Sequence, residues 1–272
     1  MTQPMDLDAY FKRIGYGGPR EATLEVLRAL HTRHTTTIPF ENLTPLMGSP
    51  VDLDLDALQA KFVGQRRGGY CFEQNALFKA ALEALGFRVT GLGARVRWMA
   101  PPDAPLGARS HMLLKVDLAD GLWLADVGFG GHILAEPIRL ATGIDQAAPA
   151  ATLRLADVGD GALMLRTLLP TGWQDVYRFD LIPQQPADYV ASNWFTATHP
   201  DSIFVNALLA ERLTPEARYS LFNRKLTTRW TDGRTEQRTL TDADDLAQVL
   251  DQAFNLTPPA PAEAIWAKLP AE

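Results

Sequence analysis

Cys71 is the only cysteine in the 272-residue chain, and the residues around it give it a setting. It ends the glycine-rich stretch Arg66-Arg67-Gly68-Gly69-Tyr70 and opens Cys71-Phe72-Glu73-Gln74-Asn75. From there Leu77, Phe78, Ala81, Leu82 and Leu85 recur at helical spacing, with Gly86 as the stop. A thiol in the first turn of a helix faces free backbone N–H groups and the positive end of the dipole, and both stabilise a thiolate nucleophile. Gly68 and Gly69 are expected to remove side chains that would crowd the approach to sulfur. On residue type alone a lone cysteine reads as an inert core hydrophobe. The flanking residues favour chemistry.

A thiolate nucleophile needs a base, and the base needs an orienting group. The chain offers five histidines: His31, His34, His111, His132 and His199. His111 starts an alternating segment that runs to Leu118, and Asp126 lies near the end of the next. Asp120-Gly121 between them predicts a hairpin turn. An antiparallel pair centred there brings the start of one strand beside the end of the other, and with it His111 beside Asp126. A carboxylate against Nδ1 of His111 would fix its tautomer and support an imidazolium next to a thiolate. Taken singly, either residue is an ordinary polar strand end. His31 and His34, a helical turn apart, lack further ligands for a metal and read as favourable charges at a helix C-terminus.

The elements that must hold these residues follow from periodicity. Residues 1–86 read as helices: one on Leu7, Tyr10, Phe11 and Ile14 stopped by Gly15, and one on Leu24, Leu27 and Leu30 with Thr23 as cap. A third uses Leu55, Leu58 and Phe62, with Asp54 at the capping position. Ile38-Pro39-Phe40-Glu41-Asn42-Leu43 reads as a loop packed on this bundle. From Gly86 the period becomes alternating. Strands are predicted at 88–99, 110–118, 122–129, 152–156, 162–169 and 175–181, which form a small antiparallel barrel or sandwich. Residues 99–105 read as a proline-rich loop. Gly128-Phe129-Gly130-Gly131 beside Asp126 would let a ligand approach the backbone, with Phe129 as an apolar wall; it lacks the lysine and spacing of a nucleotide-binding motif. Beyond Pro183 a helix at 187–198 precedes strands at 203–208, 218–223, 226–230 and 235–240. A capped helix at 242–254 and a terminal helical segment follow, and Asp242-Ala243-Asp244-Asp245 complements a helix dipole.

Composition excludes several function classes. A net charge of −6 gives no reason to expect nucleic acid or an anionic membrane surface as partner. One cysteine suits a reducing compartment. The N-terminus lacks a signal-peptide pattern and no apolar run is long enough to span a bilayer, so a cytoplasmic protein is expected.

The motifs together resemble one family. Arg67-Gly68-Gly69-Tyr70-Cys71-Phe72-Glu73-Gln74-Asn75, Ser110-His111 and Asp126-Val127-Gly128-Phe129-Gly130-Gly131 are similar to those of the arylamine N-acetyltransferases. So are Tyr10-Phe11-Lys12-Arg13-Ile14-Gly15-Tyr16, Ile38-Pro39-Phe40-Glu41-Asn42-Leu43, Asn193-Trp194-Phe195 and Ser202-Ile203-Phe204, so the resemblance spans nearly the whole chain. It implies a multi-domain α+β fold with a cysteine-protease-like Cys-His-Asp core. Residues 1–86 would be a helical bundle carrying Cys71, 87–186 an antiparallel β-barrel carrying His111 and Asp126, and 187–272 an α/β lid over the cleft. It also implies that Phe40, Val96, Phe129, Gly130 and Phe204 form the substrate pocket with Ser110 at its edge, and that Glu41 pairs with Arg67.

The implied reaction is ping-pong acetyl transfer through acetyl-Cys71, from acetyl-CoA to an aromatic amine or hydrazine, with no metal and no resident cofactor. Arg95, Arg97, Arg224, Lys225 and Arg229 are the cations available for CoA phosphates. A homo-oligomer is compatible with this reading. Three alternatives share these motifs: an amide synthase using a carrier-bound acyl thioester, a Cys-His-Asp hydrolase such as a thiol protease or amidase, and a binding protein on the same fold. A lid and a Phe-rich pocket favour transfer over hydrolysis.

Overall fold

The computed structural model describes residues 3–101, 103–130, 134–148 and 151–270; His132 and Gly131 of the sequence motifs lie outside them. The chain begins with helices α1 (Leu7–Ile14) and α2 (Leu24–Thr37). Gly15 ends α1 in the left-handed region, at φ 66°, and Thr23 caps α2 by accepting from Val26 N–H. Strand β1 (Phe40–Glu41) and the single turn α3 (Leu43–Leu46) follow. Helix α4 (Leu55–Gln59) passes into one π-helical turn at Ala60–Gly64, and α5 (Cys71–Ala84) completes the first region. Asp54 sits at the start of α4, but its side chain makes no cap bond there.

The loop expected at Ile38 to Leu43 is instead shared between two cores. Phe40 and Glu41 pair antiparallel with Glu211 and Ala210. Ile38 and Phe40 pack into the helical core, whereas Leu43 and Leu46 pack against Leu208, Leu221, Leu246 and Leu250. The first region therefore contributes an edge strand to the sheet of the third.

The central region is an antiparallel sheet of β2 (Arg88–Val96), β3 (His111–Leu118), β4 (Gly121–Ala125), β5 (Ile138–Arg139), β6 (Asp145–Ala148), β7 (Ala151–Asp157), β8 (Ala162–Leu169) and β9 (Gly172–Asp180). The strand order is β5-β4-β3-β2-β9-β8-β7-β6. Its two edges meet at Arg139 and Gln146: Arg139 N donates to Gln146 Oε1 at 2.7 Å, and Gln146 Nε2 donates to Arg139 O at 2.9 Å. That contact nearly closes the sheet into a barrel around Leu92, Leu113, Leu124, Leu155, Leu165 and Val176. The β3–β4 hairpin turns on Ala119-Asp120, with Leu118 opposite Gly121, one residue earlier than the Asp-Gly turn expected.

The third region starts with α6 (Pro186–Thr198) and α7 (Ile203–Asn206). Strands β10 (Leu209–Leu213), β11 (Ala217–Phe222), β12 (Lys225–Trp230) and β13 (Thr235–Thr239) then extend the sheet begun by β1. Helices α8 (Ala243–Gln252) and α9 (Ala262–Trp266) cover it, and Asp242 caps α8 by accepting from Asp245 N–H. The strand expected at 203–208 is thus a helical turn, because Ser202 Oγ accepts from Phe204 N–H and caps it; the strand begins three residues later. Among the described residues no helix is long and apolar enough to cross a membrane.

Candidate active site

Cys71 is the first residue of α5 and is buried, 5% exposed. The approach to it is set by packing at the two glycines before it. A Cβ on Gly68 would lie 2.0 Å from Pro39 O, and one on Gly69 would lie 2.5 Å from Glu73 Oε2. These glycines are therefore needed for close contact with β1 and α5, not for clearing a path to sulfur. Glu73 then reaches back to accept from Tyr70 N–H at 3.1 Å and is met by Lys61 from the π-helical turn at 2.5 Å. Burial raises the Glu73 pKa despite Lys61.

His111 opens β3 opposite Ala94 of β2, and Asp126 follows the last paired residue of β4. His111 Nε2 lies 2.7 Å from Asp126 Oδ2. This reverses the expected arrangement, in which Nδ1 would face the carboxylate. With Nε2 occupied, Nδ1 is the ring nitrogen left for the hydrogen bond with Cys71. Burial alone would lower the His111 pKa, but the charge and hydrogen bond of Asp126 and the contact with Cys71 raise it to about 10. Burial likewise pushes Asp126 up, and His111, Asn75 and Gly128 N–H more than reverse it, so Asp126 is held below the usual carboxylate range. Such an arrangement favours an imidazolium–carboxylate pair beside sulfur. Cys71 Sγ also lies 3.6 Å from Ser110 O, to which the thiol can donate.

Asn75, one turn after Cys71 on the same face of α5, joins the two halves of the site. Its Nδ2 donates to Met112 O at 2.8 Å and to Asp126 Oδ1 at 3.0 Å, and its Oδ1 accepts from Val127 N–H at 3.1 Å. Gly128 lies so close that a Cβ there would stand 2.7 Å from Cys71 Cα. A Cβ on Gly130 would meet the Phe40 ring at 2.8 Å. Gly128 and Gly130 thus admit close protein neighbours.

The α2 histidines are not surface charges. His31 and His34 are both fully buried, and burial lowers their pKa values to about 4 and about 3, so both rings are neutral at pH 7. His34 Nδ1 meets Tyr10 OH at 2.8 Å and its Nε2 meets Gln74 Oε1 at 2.6 Å. Gln74 Nε2 in turn donates to Pro39 O and Gly69 O, which ties the cysteine turn to β1. His31 Nε2 accepts from Asp126 N–H at 3.2 Å. Sequence reasoning missed these roles, together with Asn75. Asn75 had a usable signal in its four-residue offset from Cys71.

The expected Glu41–Arg67 pair is present. Arg67 Nε and Nη2 donate to Glu41 Oε1 at 2.9 and 2.7 Å, with side chains 5% and 0% exposed. Burial pushes Glu41 up, but the charges of Arg67 and Lys61 bring it below the usual range.

Aromatic residues gather on two sides. Phe129 sits edge-on to His111 at 5.0 Å between ring centres, and Tyr177 lies 5.0 Å from the same ring. Phe204 on α7 stacks on Tyr70 at 5.4 Å and contacts Phe40 at 6.1 Å. Val96, 37% exposed, pairs with Tyr177 at the end of β2. Ser110 and Phe129 thus meet Cys71 and His111 directly, Val96 reaches His111 through Tyr177, Phe204 stacks on Tyr70 next to Cys71, and Phe40 and Gly130 lie against each other further out. Among the five candidate cations, Arg97 donates to Ala104 O and Pro101 O at 2.8 Å and fastens the proline-rich loop. Arg224 donates to Leu269 O and lies over Trp266, so it fastens α9. Arg95 is half-buried and bonded to Gly107 O, while Lys225 and Arg229 are exposed on β12.

A buried Cys, His and Asp are thus brought together from α5, β3 and the end of β4, the constellation in which a thiolate nucleophile is paired with an oriented base. Residues 23–261 match a family model described as N-acetyltransferase. The arylamine N-acetyltransferase of Mycobacterium tuberculosis H37Rv is 43% identical over 93% of this chain and 89% of its own. The solved Mycobacterium marinum arylamine N-acetyltransferase is 41% identical, with a TM-score of 0.92 over 97% of this chain and 99% of its own. A second structure of that enzyme, in complex with CoA, is 40% identical with the same TM-score over 97% and 98%. The chain belongs to the arylamine N-acetyltransferase family.

Proposed function

We propose that the chain acetylates aromatic amines and hydrazines from acetyl-CoA by a ping-pong reaction through acetyl-Cys71. The carrying observation is the His111–Asp126 contact of 2.7 Å on a ring that also bonds Cys71. In the first half-reaction Cys71 thiolate attacks the thioester carbonyl, the C–S bond to CoA breaks, and His111 protonates the leaving thiolate. In the second, the amine nitrogen attacks acetyl-Cys71, the new C–N bond forms, and the C–S bond to Cys71 breaks. His111 takes the proton lost by nitrogen. Exchange between thioesters is close to energy-neutral, which suits a reversible first half, and amide formation drives the second. Cys71 N–H at the start of α5 is suited to donate to the developing oxyanion.

A CoA complex of a relative 40% identical supports acetyl-CoA as donor. Lys225 and Arg229 are the candidate phosphate partners, since Arg95, Arg97 and Arg224 donate to the protein's own backbone. The acceptor would lie against Phe40, Phe129, Val96 and Phe204, with Ser110 and Gly130 beside it. Three regions with bounds near residues 86 and 186 fit this division of labour. The test is acetyl-CoA with an arylhydrazine, following free CoA and acetylated product together. Equal release of both is expected; acetate in place of acetylhydrazine would favour hydrolysis instead.

A further inference from the structure

Three consecutive backbone N–H groups follow the end of β4, buried and beyond the reach of the strand ladder. Val127 N–H is taken by Asn75 Oδ1 and Gly128 N–H by Asp126 Oδ1. Asp126 N–H is taken by His31 Nε2, which comes from α2. A buried N–H without a partner is costly, so each of these bonds fixes the backbone at that point. We infer that His31 is a positioning residue, whose unprotonated Nε2 holds the main chain from which Asp126 presents its carboxylate to His111.

Several features fit this role. The side chain of Asp126 is held by His111, Asn75 and Gly128 N–H, but none of these restrains its own backbone nitrogen. Among the described residues His31 makes no contact that would use it as an acid or base: its ring is fully buried and edge-on to Phe78 at 5.7 Å. To accept at Nε2 the neutral ring must carry its proton on Nδ1. Nδ1 makes no hydrogen bond among the described residues, and the nearby Ala135 carbonyl already accepts from Thr32 Oγ1 at 3.0 Å. The tautomer is therefore selected chiefly by Asp126 N–H. The charged or titratable groups acting on the ring are Asp126, which favours its protonation, and His34, one turn further along α2. Burial outweighs Asp126 and keeps the ring neutral.

The inference rests on the Cys71–His111–Asp126 reading and is tested apart from it. His31→Gln places an acceptor where Nε2 stands, whereas His31→Asn places its polar atoms at the Nδ1 position and cannot reach Asp126 N–H. His31→Asn should lower kcat by roughly 10- to 100-fold with KM for the hydrazine little changed, as a misplaced catalytic group does. Alkylation of Cys71 at neutral pH should slow in parallel and its pH profile should move. His31→Gln should recover most of both. A role in packing alone would lower the melting temperature of both variants and leave the alkylation profile of the folded protein where it was. That result, or equal impairment of the Gln and Asn variants, overturns the inference. Nitrogen NMR of the wild-type histidines gives an answer even if a variant does not fold. A His31 ring protonated on Nδ1 alone at pH 7 is expected, and one protonated on Nε2 contradicts it. Failure of wild-type protein to acquire acetyl on Cys71 would instead defeat the parent reading and leave the tautomer untouched.

Discussion

Two sides of the same sulfur are built on opposite principles. Toward the helical region buried polar groups are paired with one another: Glu41 with Arg67, Glu73 with Lys61, His34 with Tyr10 and Gln74, and His31 Nε2 with Asp126 N–H. Toward the third region the wall is aromatic, with Phe40, Phe204 and Tyr70 in ring contact. A buried polar network tolerates no partial satisfaction, because each lost partner leaves a desolvated group behind. An aromatic wall loses contact area gradually. Under the proposed reaction the first side would fix the reacting atoms and the second would admit different acceptors. Substitutions on the polar side should therefore act steeply, and those on the aromatic side gently.

The steepest effect is expected at Asp126. Asp126→Asn keeps the shape but offers an amide where His111 Nε2 needs a carboxylate, and kcat should fall about 10⁴-fold, as in the analogous serine-protease change. The imidazolium also loses the charge that raises its pKa to about 10, so alkylation of Cys71 at neutral pH should slow. An unchanged alkylation rate would break the comparison at its centre.

Glu41→Gln should come next. It leaves Arg67 buried without a counter-charge, which costs roughly 3–5 kcal/mol, and it loosens β1 from the cysteine turn. Stability in urea and turnover should fall together. Wild-type values for both would show that the pair carries no load.

Acid should act on the same side. His31 and His34 titrate near 4 and 3 in the folded protein, below the unfolded value of about 6.5. Between those values the unfolded chain binds more protons, so stability is full above about pH 6.5 and is lost as pH falls toward 4 and 3, by on the order of 3–5 kcal/mol per histidine. For His111 the sign is opposite: its pairing contributes fully below the unfolded value and is lost as pH rises through about 10. Urea titrations at pH 7, 5 and 4 check the acid limb. A flat response would mean that these rings are protonated or exposed.

The smallest effect is expected at Phe204. Phe204→Ala removes ring contacts with Phe40 and Tyr70 and should slow transfer to an arylamine by roughly 2- to 10-fold. Hydrolysis of isolated acetyl-enzyme should quicken as water enters. Both rates unchanged would place Phe204 outside the acceptor wall and erase the contrast between the two sides.

Much of the polar side was legible only where its partners are local in sequence. Cys71 at a helix start, and His111 and Asp126 on one hairpin, follow from short-range pattern. Asn75 could have been read from its offset on α5. The roles of His31 and His34 could not, because their neutrality depends on burial against Phe78 and on groups brought from α5 and β4. For the same reason Phe40–Glu41 read as loop: its ladder partners, Ala210 and Glu211, lie far along the chain. The apolar run at 203–208 satisfies both helical and strand patterns at that length, and Ser202 was the overlooked cap. Gly68 and Gly128 announced close approach correctly, but the partner is protein backbone, and only the packed structure reveals that.

The central claim is that Cys71 carries the acetyl group. Intact-mass measurement of the protein mixed with acetyl-CoA alone, followed by peptide mapping, tests it most directly. One acetyl group on Cys71, absent from a folded Cys71→Ala variant, is the expected result. An acetyl group on another residue, or CoA release undiminished in Cys71→Ala, would contradict the account.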